Sequence, residues 1–278
     1  MYISVDLGGT KTRIAFSKDL QSLDSVEKFQ TLQNWNDELN KISEVITPVV
    51  RDSNIDAVSF GIPGTLDLKE RVFLKVPNYK DLEGKSFDVF SKLFEDSTQV
   101  YFNNDASLSC LGEAVHGAGK QYKNVAYITL STGVGGALVV NKKLWDIYRA
   151  YEPGHHIMNL SENNTDSAGI NGSMEYYLSG TGFKQRYKIL PEDCTDSAIW
   201  DEYGRLLAMG LVNVTAFWNP EVIVLGGSLR NKYDLFISSA ENKLSSYTGI
   251  HIPVIKKSLL EDDSGLVGGF EFINQKSA

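Results

Sequence analysis

Two stretches of the sequence share one design: ISVDLGGTKTRIAF at residues 3–16 and ITLSTGVGGALVV at residues 128–140. In each, an apolar strand pattern runs into a glycine-rich turn, and a second apolar strand pattern follows. Gly8 and Gly133 occupy equivalent places in the two stretches. A single glycine hairpin is typical of a tight turn, but two of them at matched positions predict an internal repeat. We therefore expect two similar domains that face a shared cleft.

Strand and helix patterns alternate along the rest of the chain, which favours an α/β fold. Apolar residues between Trp35 and Val49 recur at intervals of three and four, which predicts an amphipathic helix capped by Asn34 or Asn36. A long helix is predicted from Trp200 to Trp218, where Asn219-Pro220 ends it. Further short strands are predicted at Ala57–Ile62, Val100–Phe102, Val125–Leu130, Gly136–Val140 and Val222–Leu225.

Composition and charge restrict the class of protein. Of 278 residues, 42% are hydrophobic and 22% charged, which is ordinary for a globular chain. The net charge of −8 disfavours nucleic acid as a partner, because a field of that sign repels phosphates. The two cysteines, Cys110 and Cys194, have no paired spacing, which argues against a disulfide framework and favours the cytoplasm. We expect no membrane segment and no signal peptide, because no apolar run is long enough for a span and the N-terminus begins with a strand pattern.

Both glycine-rich turns are candidates for phosphate binding, because glycine lets backbone N–H groups approach phosphate oxygens closely. In the first, DLGGTK, Thr10 and Lys11 add donors and Asp6 is placed to hold Mg²⁺ through water. A plain hairpin turn with a solvated Asp and Lys explains the same residues. Thr132 and Gly133 belong to the second turn.

A third glycine pair, Gly226-Gly227, follows an apolar strand directly. Open α/β sheets bind ligands at the carboxyl ends of their strands, so this pair is a candidate ligand contact, although a simple strand-to-helix turn accounts for it as well. Asn104-Asp105 also follows a strand. A carboxylate in that place is suited to take a proton from a hydroxyl group, but an Asx turn or a helix cap is the alternative.

In order along the chain, the motifs DLGGTK, GIPG, PNY, NND, TLSTGVGG, EPGHH, GINGSMEYYLSG and NPEVIVLGG resemble those of the ROK family of sugar kinases and repressors. The resemblance runs from residue 3 to about residue 270. It implies the actin-like (ribonuclease H-like) ATPase fold with two α/β domains around a cleft. One domain is expected at residues 1–107 plus 262–278 and the other at residues 108–261. The family pattern also implies a homodimer.

The resemblance implies a role for each matching position. Asp105 corresponds to the catalytic base, and Asp6 is expected to hold Mg²⁺ through water. The positions that correspond to the ATP-binding motifs are Asp6, Gly8, Gly9, Thr10, Lys11, Thr132, Gly133, Gly226 and Gly227. The positions that correspond to the sugar-binding residues are Gly64, Asn104, Asp105, Glu152, His155 and Glu175. The neighbouring His156 has no matching role.

The sequence departs from the family pattern in a loop that, in many members, holds a structural zinc through the GH histidine and three cysteines. The three cysteine positions are occupied here by Asp166, Ala168 and Ser173, so the thiolates that zinc prefers are absent. We therefore expect no structural zinc. Gly169 and Gly172 are retained, which predicts that the path of the loop survives. A smaller departure is Ser131, where the family usually has glycine.

The implied activity is ATP-dependent phosphorylation of a hexose resembling glucose, at the 6-hydroxyl, with ATP and Mg²⁺ as cofactors. An N-acylhexosamine (ManNAc or GlcNAc) kinase and a fructokinase of the same family are alternatives that the sequence does not separate. A sugar-responsive transcriptional regulator is a further alternative. Regulators of this family carry an N-terminal helix-turn-helix domain, whereas the first predicted strand begins at residue 2 or 3.

Overall fold

The computed structural model describes residues 1–145 and 149–277, which form a mixed α/β structure. The strands are β1 (Tyr2–Leu7), β2 (Lys11–Ser17), β3 (Ser25–Gln30), β4 (Ala57–Ile62), β5 (Thr65–Asp67), β6 (Val72–Lys75), β7 (Gln99–Asn104), β8 (Asn124–Leu130), β9 (Val134–Val140), β10 (Lys143–Leu144), β11 (Val222–Gly226) and β12 (Val254–Lys257). The helices are α1 (Trp35–Asp52), α2 (Asp105–Val115), α3 (Met174–Leu178), α4 (Gly180–Tyr187), α5 (Ser197–Trp218), α6 (Tyr233–Ser245) and α7 (Ser264–Ser277).

The chain folds into two compact units, and the internal repeat predicted from the sequence is confirmed in their topology. Unit 1 contains Met1–Val115, residues 149 and 150, and the segment from Asp263 to the end of the described chain. Unit 2 contains His116–Trp145 and Tyr151–Asp262. The sheet of unit 1 has the strand order β3-β2-β1-β4-β7, and that of unit 2 has the matching order β10-β9-β8-β11-β12.

Corresponding strands also run in corresponding directions. In unit 1, β1 pairs antiparallel with β2 and parallel with β4, and β4 pairs parallel with β7. In unit 2, β8 pairs in the same way with β9 and β11, and β11 pairs parallel with β12. The carboxyl ends of parallel strands meet at one edge of a sheet. The glycine turn after β1 and Asn104-Asp105 at the end of β7 therefore lie at the same edge of the unit 1 sheet.

Each unit has its own apolar core. In unit 1, Phe60 stacks on Phe90 and Phe102 with ring centroids 4.7 and 5.3 Å apart. In unit 2, the fully buried Trp200 lies between Phe183 and Phe236. Burial of one such side chain stabilises the folded state by about 1.5–3 kcal/mol. These cores hold the sheets whose edges carry the glycine turns and Asn104-Asp105.

The C-terminal helix α7 completes unit 1 by packing against α2. The two helices approach very closely at Gly112 and Gly268. A methyl group at Gly268 would lie 1.7 Å from the carbonyl oxygen of Leu108, so glycine is required there. Leu266, Phe270 and Ile273 on α7 are buried with Ala15 and Ala57 of the sheet.

Several local predictions are confirmed, and one strand differs. α1 begins after Asn34, whose side chain accepts hydrogen bonds from two backbone N–H groups, so this is the capping asparagine of the two candidates. α5 ends at Asn219, which adopts φ 44° before Pro220. β9 begins at Val134 rather than at the predicted Gly136. Gly136 packs closely within this strand, since a methyl group there would lie 2.5 Å from the carbonyl oxygen of Tyr127 on β8.

None of the helices in the described part of the chain combines the length and apolar character that a membrane span needs.

Candidate active site

The first glycine turn is a hairpin between β1 and β2 whose Gly8 and Gly9 carbonyl groups both accept hydrogen bonds from the segment after β3. Gly8 N–H donates to the Lys11 carbonyl at 3.1 Å. The Gly8 carbonyl accepts from the Thr31 hydroxyl at 2.8 Å, and the Gly9 carbonyl from the Gln33 amide at 2.9 Å. In a trans peptide the N–H points opposite to the C=O. The N–H groups of Gly9 and the next residue therefore point away from Thr31 and Gln33, as a phosphate cradle requires.

A buried polar network is hydrogen-bonded to this turn through the Thr31 hydroxyl. The Thr31 hydroxyl lies 3.0 Å from the Thr12 hydroxyl, which in turn donates to Glu38 at 2.5 Å. The second oxygen of Glu38 accepts from the Leu32 N–H at 2.7 Å. Burial raises the pKa of Glu38, although the hydrogen bonds from Thr12 and Leu32 act in the opposite direction. The sequence analysis missed Glu38 because it belongs to the apolar face of a helix, where a carboxylate gives no motif.

Asp6, the candidate for Mg²⁺ binding, lies near the end of β1 and pairs with Arg13 across the hairpin. The ion-pair distance is 3.3 Å, and both side chains are 14% exposed. A carboxylate offers about four acceptor positions, so this pair leaves capacity for water on a hard cation. The Asp6 carboxylate also lies against the first turn of α7, because a methyl group at Gly265 would be 3.0 Å from its carbon.

Gly64, Asn104 and Asp105 are brought together at the end of β7. The amide group of Asn104 donates to the Gly64 carbonyl at 3.2 Å, and its oxygen accepts from the Ser107 N–H at 3.1 Å. Asn104 therefore acts as the helix cap that the sequence offered as an alternative. Asp105 is the first residue of α2, and its carboxylate accepts from the Ala106 N–H at 2.8 Å. The N-terminus of a helix stabilises negative charge, which favours an ionised carboxylate at Asp105.

The second glycine turn, in unit 2, is tied to the start of α4. Ser131 N–H donates to the Gly133 carbonyl at 2.9 Å and closes the turn. The Ser131 carbonyl accepts from the Gly180 N–H at 2.7 Å, and the Thr132 carbonyl accepts from the Thr181 hydroxyl at 2.8 Å. Both carbonyl groups are therefore held by the first two residues of α4. Phosphate binding by Thr132 and Gly133 stays a prediction.

Gly226-Gly227 lies at the carboxyl end of β11, as predicted. Gly227 has φ 80°, a conformation that side chains other than glycine adopt only with strain. Its carbonyl accepts from the guanidinium of Arg230 at 3.0 Å, and the same guanidinium pairs with Asp262 at 2.8 Å. The Gly227 carbonyl is therefore held by a guanidinium that is itself fixed by an ion pair.

The remaining candidates cluster on a loop of unit 2 and on α3. Glu152 precedes a short 3-10 turn, Pro153–His155, and is exposed. His155 Nδ1 lies 2.8 Å from Asp166 Oδ2. Glu175 on α3 is buried, and its carboxylate accepts from the Val134 N–H at 2.9 Å and from the N–H and hydroxyl of Ser167. His155 and Glu175 therefore lie close together, since one donor or acceptor atom from each, together with one from Asp166, all lie within 4.8 Å of one another.

The profile of the ROK family matches residues 2–276 of the chain. The chain belongs to the ROK family. It is similar to a glucokinase of Pyrobaculum calidifontis, to which it is 27% identical over 96% of this chain and 93% of the relative. It is equally similar to an N-acetyl-D-glucosamine kinase of Haemophilus influenzae, at 27% identity over 96% of this chain and 97% of the relative.

The fold expected from the family resemblance is confirmed by a solved structure. A ROK family glucokinase from Streptomyces griseus, crystallised with glucose and AMPPNP, matches with a TM-score of 0.81 at 23% identity over 99% of both chains. At this level of identity the match shows the fold, which is the actin-like ATPase fold of ROK proteins. The matching strand orders of the two units agree with it.

The residues of this ROK protein do not fit the structural zinc that many members of the family carry. His155, Asp166 and Glu175 form a cluster of three groups that offer ligand atoms. However, the 2.8 Å between the atoms of His155 and Asp166 is a direct hydrogen bond, whereas two ligands of a tetrahedral zinc lie roughly 3.3 Å apart. The two oxygens of Glu175 already accept from Val134 and Ser167.

We expect purified, untagged protein to contain well under one zinc per chain, because the thiolates that zinc prefers are absent and His155 is hydrogen-bonded directly to Asp166. Elemental analysis after dialysis measures this directly. A stoichiometric zinc that resists dialysis would contradict the expectation and would direct the search for ligands to His155, Asp166 and Glu175.

Proposed function

We propose that this ROK protein is an ATP-dependent sugar kinase that transfers the γ-phosphate of ATP to a hydroxyl group of a hexose. The observation that carries the proposal is the placement of Asp105. Its carboxylate stands at the first residue of α2, at the edge of the sheet where parallel strands end, beside Asn104 and Gly64. An ionised carboxylate at such an edge is suited to act as a general base.

In the proposed reaction, Asp105 accepts the proton of the attacking sugar hydroxyl as the oxygen forms a bond to the γ-phosphorus and the bond to the leaving ADP oxygen breaks. Phosphoryl transfer depends mainly on positioning and on stabilising the negative charge of the phosphoryl oxygens. The backbone N–H groups of the two glycine turns supply donors for that purpose. Exclusion of water from the reacting groups limits hydrolysis of ATP.

ATP recognition is assigned to the three glycine segments. Gly8, Gly9, Thr10 and Lys11 are proposed to contact phosphate in one turn, and Thr132 and Gly133 in the other. Gly226-Gly227 is proposed to contact the adenosine. Asp6 is proposed to hold Mg²⁺ through water, and the bound ion would neutralise charge on the phosphates.

Sugar recognition is assigned to Gly64, Asn104, Asp105, Glu152, His155 and Glu175. Carboxylates, an amide and an imidazole each form one or two hydrogen bonds with hydroxyl groups. A site built from such groups rejects analogues that lack a hydroxyl, because its own buried groups are then left without partners. The buried Glu175 is the strongest example of such a group.

The identity of the sugar is tested by a panel of hexoses assayed with ATP, followed by ³¹P–¹H NMR of each product. We propose a sugar resembling glucose with phosphate transferred to the 6-hydroxyl, so a 6-deoxy sugar is expected to bind without accepting phosphate. Phosphate on C1 would contradict this orientation. The similarity to an N-acetyl-D-glucosamine kinase makes N-acylhexosamines the second candidate substrates, and fructose is included in the panel.

Absence of turnover with every sugar, combined with measurable sugar binding, would favour a sugar-responsive regulator over a kinase. Because ATP is the proposed phosphate donor, we place the protein in the cytoplasm, and we propose the homodimer that the family pattern implies. Size-exclusion chromatography with light scattering measures the oligomeric state directly.

A further inference from the structure

The carboxylate of Asp166 forms several hydrogen bonds within the loop that carries His155. Its side chain is 0% exposed. One oxygen lies 2.8 Å from His155 Nδ1, and the other accepts from the N–H groups of Ala168 and Ile170 at 2.9 Å each. The side chain of Ser173 forms a further hydrogen bond with the same carboxylate. One buried carboxylate therefore forms hydrogen bonds with His155, Ala168, Ile170 and Ser173. It lies at the position where the residues do not fit a zinc ion.

These contacts fix the charge of Asp166. Burial alone would raise the pKa of its carboxyl group, but the hydrogen bonds from Ser173, Ile170 and His155 together outweigh burial and lower the pKa. The group is therefore ionised at neutral pH, and an ionised carboxylate only accepts hydrogen bonds. The atom of His155 that faces it must consequently be the donor.

The other ring nitrogen of His155 then has a defined role. In a neutral imidazole one nitrogen donates and the other accepts, so a protonated Nδ1 leaves Nε2 as an acceptor. The side chain of His155 is 22% exposed, whereas that of Asp166 is fully buried, so the imidazole is the part of the pair that a ligand can reach. The neighbouring Glu175 is also an acceptor. A ligand that contacts both groups must supply hydrogen-bond donors, and the hydroxyl groups of a sugar do so.

We propose that Asp166 is a positioning residue that holds His155 in the Nδ1-protonated tautomer and so makes Nε2 an acceptor for a hydroxyl group of the sugar. This inference rests on the proposed function for the identity of the ligand. The tautomer itself is independent of any sugar, so the two parts are tested separately.

The first test is ¹⁵N–¹H NMR of protein labelled in its histidines, with His155→Gln used to assign the signal among the four histidines. We expect the wild-type His155 to show a protonated Nδ1 and an unprotonated Nε2. In Asp166→Asn, the amide oxygen is expected to stay with the N–H groups of Ala168 and Ile170, which turns the NH₂ group toward His155. The tautomer should then reverse, with the proton on Nε2.

The second test is calorimetry of sugar binding, which does not require turnover. Loss of one hydrogen bond to a hydroxyl predicts an affinity roughly 2- to 12-fold weaker in Asp166→Asn. Glu162→Gln is the matched control, since Glu162 accepts from Asn163 and Asn164 in the same loop without contacting His155. The control is expected to bind sugar as the wild type does.

A wild-type His155 with its proton on Nε2 would overturn the proposal, even if Asp166→Asn did not fold. An equal loss of affinity in Glu162→Gln would also overturn it, because the loop would then matter only as a scaffold. If the wild type bound no sugar, the proposed function would fail, and the NMR result would still decide whether Asp166 sets the tautomer of His155.

Discussion

Replacing Asp105 with asparagine is expected to lower kcat by about 10²- to 10⁴-fold, the usual cost of losing a general base, while sugar binding survives. Asparagine cannot accept the hydroxyl proton. It keeps an oxygen that can accept from the Ala106 N–H, and Asn104 still caps α2. The fold should therefore be unchanged. A coupled assay for ADP measures the rate, and calorimetry measures sugar binding in the same preparation.

Asp234→Asn is a suitable control for this experiment, because Asp234 also lies in the first turn of a helix, α6. It should retain the wild-type rate. If Asp105→Asn retained more than about a tenth of the wild-type kcat, Asp105 would not be the general base as that range defines it. An equal loss in the control would point to an effect of helix charge instead.

Removing the carboxylate of Glu175 is expected to cost about 10- to 150-fold in kcat/KM, mostly through KM. A hydrogen bond to a charged group contributes roughly 1.5–3 kcal/mol, which corresponds to this loss in kcat/KM. In the proposed orientation Glu152, His155 and Glu175 contact ring hydroxyls remote from the one that is phosphorylated. Truncation therefore weakens sugar binding first and lowers kcat only if alignment suffers.

Truncation of Glu175 is also expected to destabilise the fold. Glu175→Ala leaves the buried Val134 N–H without its acceptor, which destabilises the fold by about 1–3 kcal/mol. Glu175→Gln retains one oxygen and is the gentler comparison. Thermal unfolding of both variants, measured beside KM, separates the two effects. An unchanged KM in Glu175→Ala would overturn the proposed orientation of the sugar.

The parts of the fold that could be predicted are those where one chemical pattern dominates. The two strand–turn–strand stretches combine apolar strand patterns with glycine-rich turns, so β1, β2, β8 and β9 were all predicted. The edge strand β3 was missed because it is mostly exposed and its sequence, SVEKFQ, shows little apolar alternation. α6 was missed although Phe236, Ala240 and Leu244 recur at intervals of four, a signal that was available in the sequence.

The candidate residues of the site could be predicted from the sequence, but the residues that contact them could not. Motif positions indicated the candidate residues, and the functional roles of these residues stay predictions. Their partners could not be predicted, because contacts such as that between Glu175 and Val134 join residues 41 positions apart. Asp166 was interpreted only as a lost cysteine. Its hydrogen bond to His155 depends on the path of the intervening loop, which spacing does not specify.

The packing of α7 against α2 affects the order in which the two units can fold during synthesis. The first 115 residues of unit 1 leave the ribosome before unit 2, but their apolar surface at Ala15 and Ala57 is covered by a helix translated about 150 residues later. At about 5–20 residues per second, this surface stays uncovered for roughly 8–30 s. During this interval unit 2 can fold from a continuous segment, so the half of the protein that is made first is completed last.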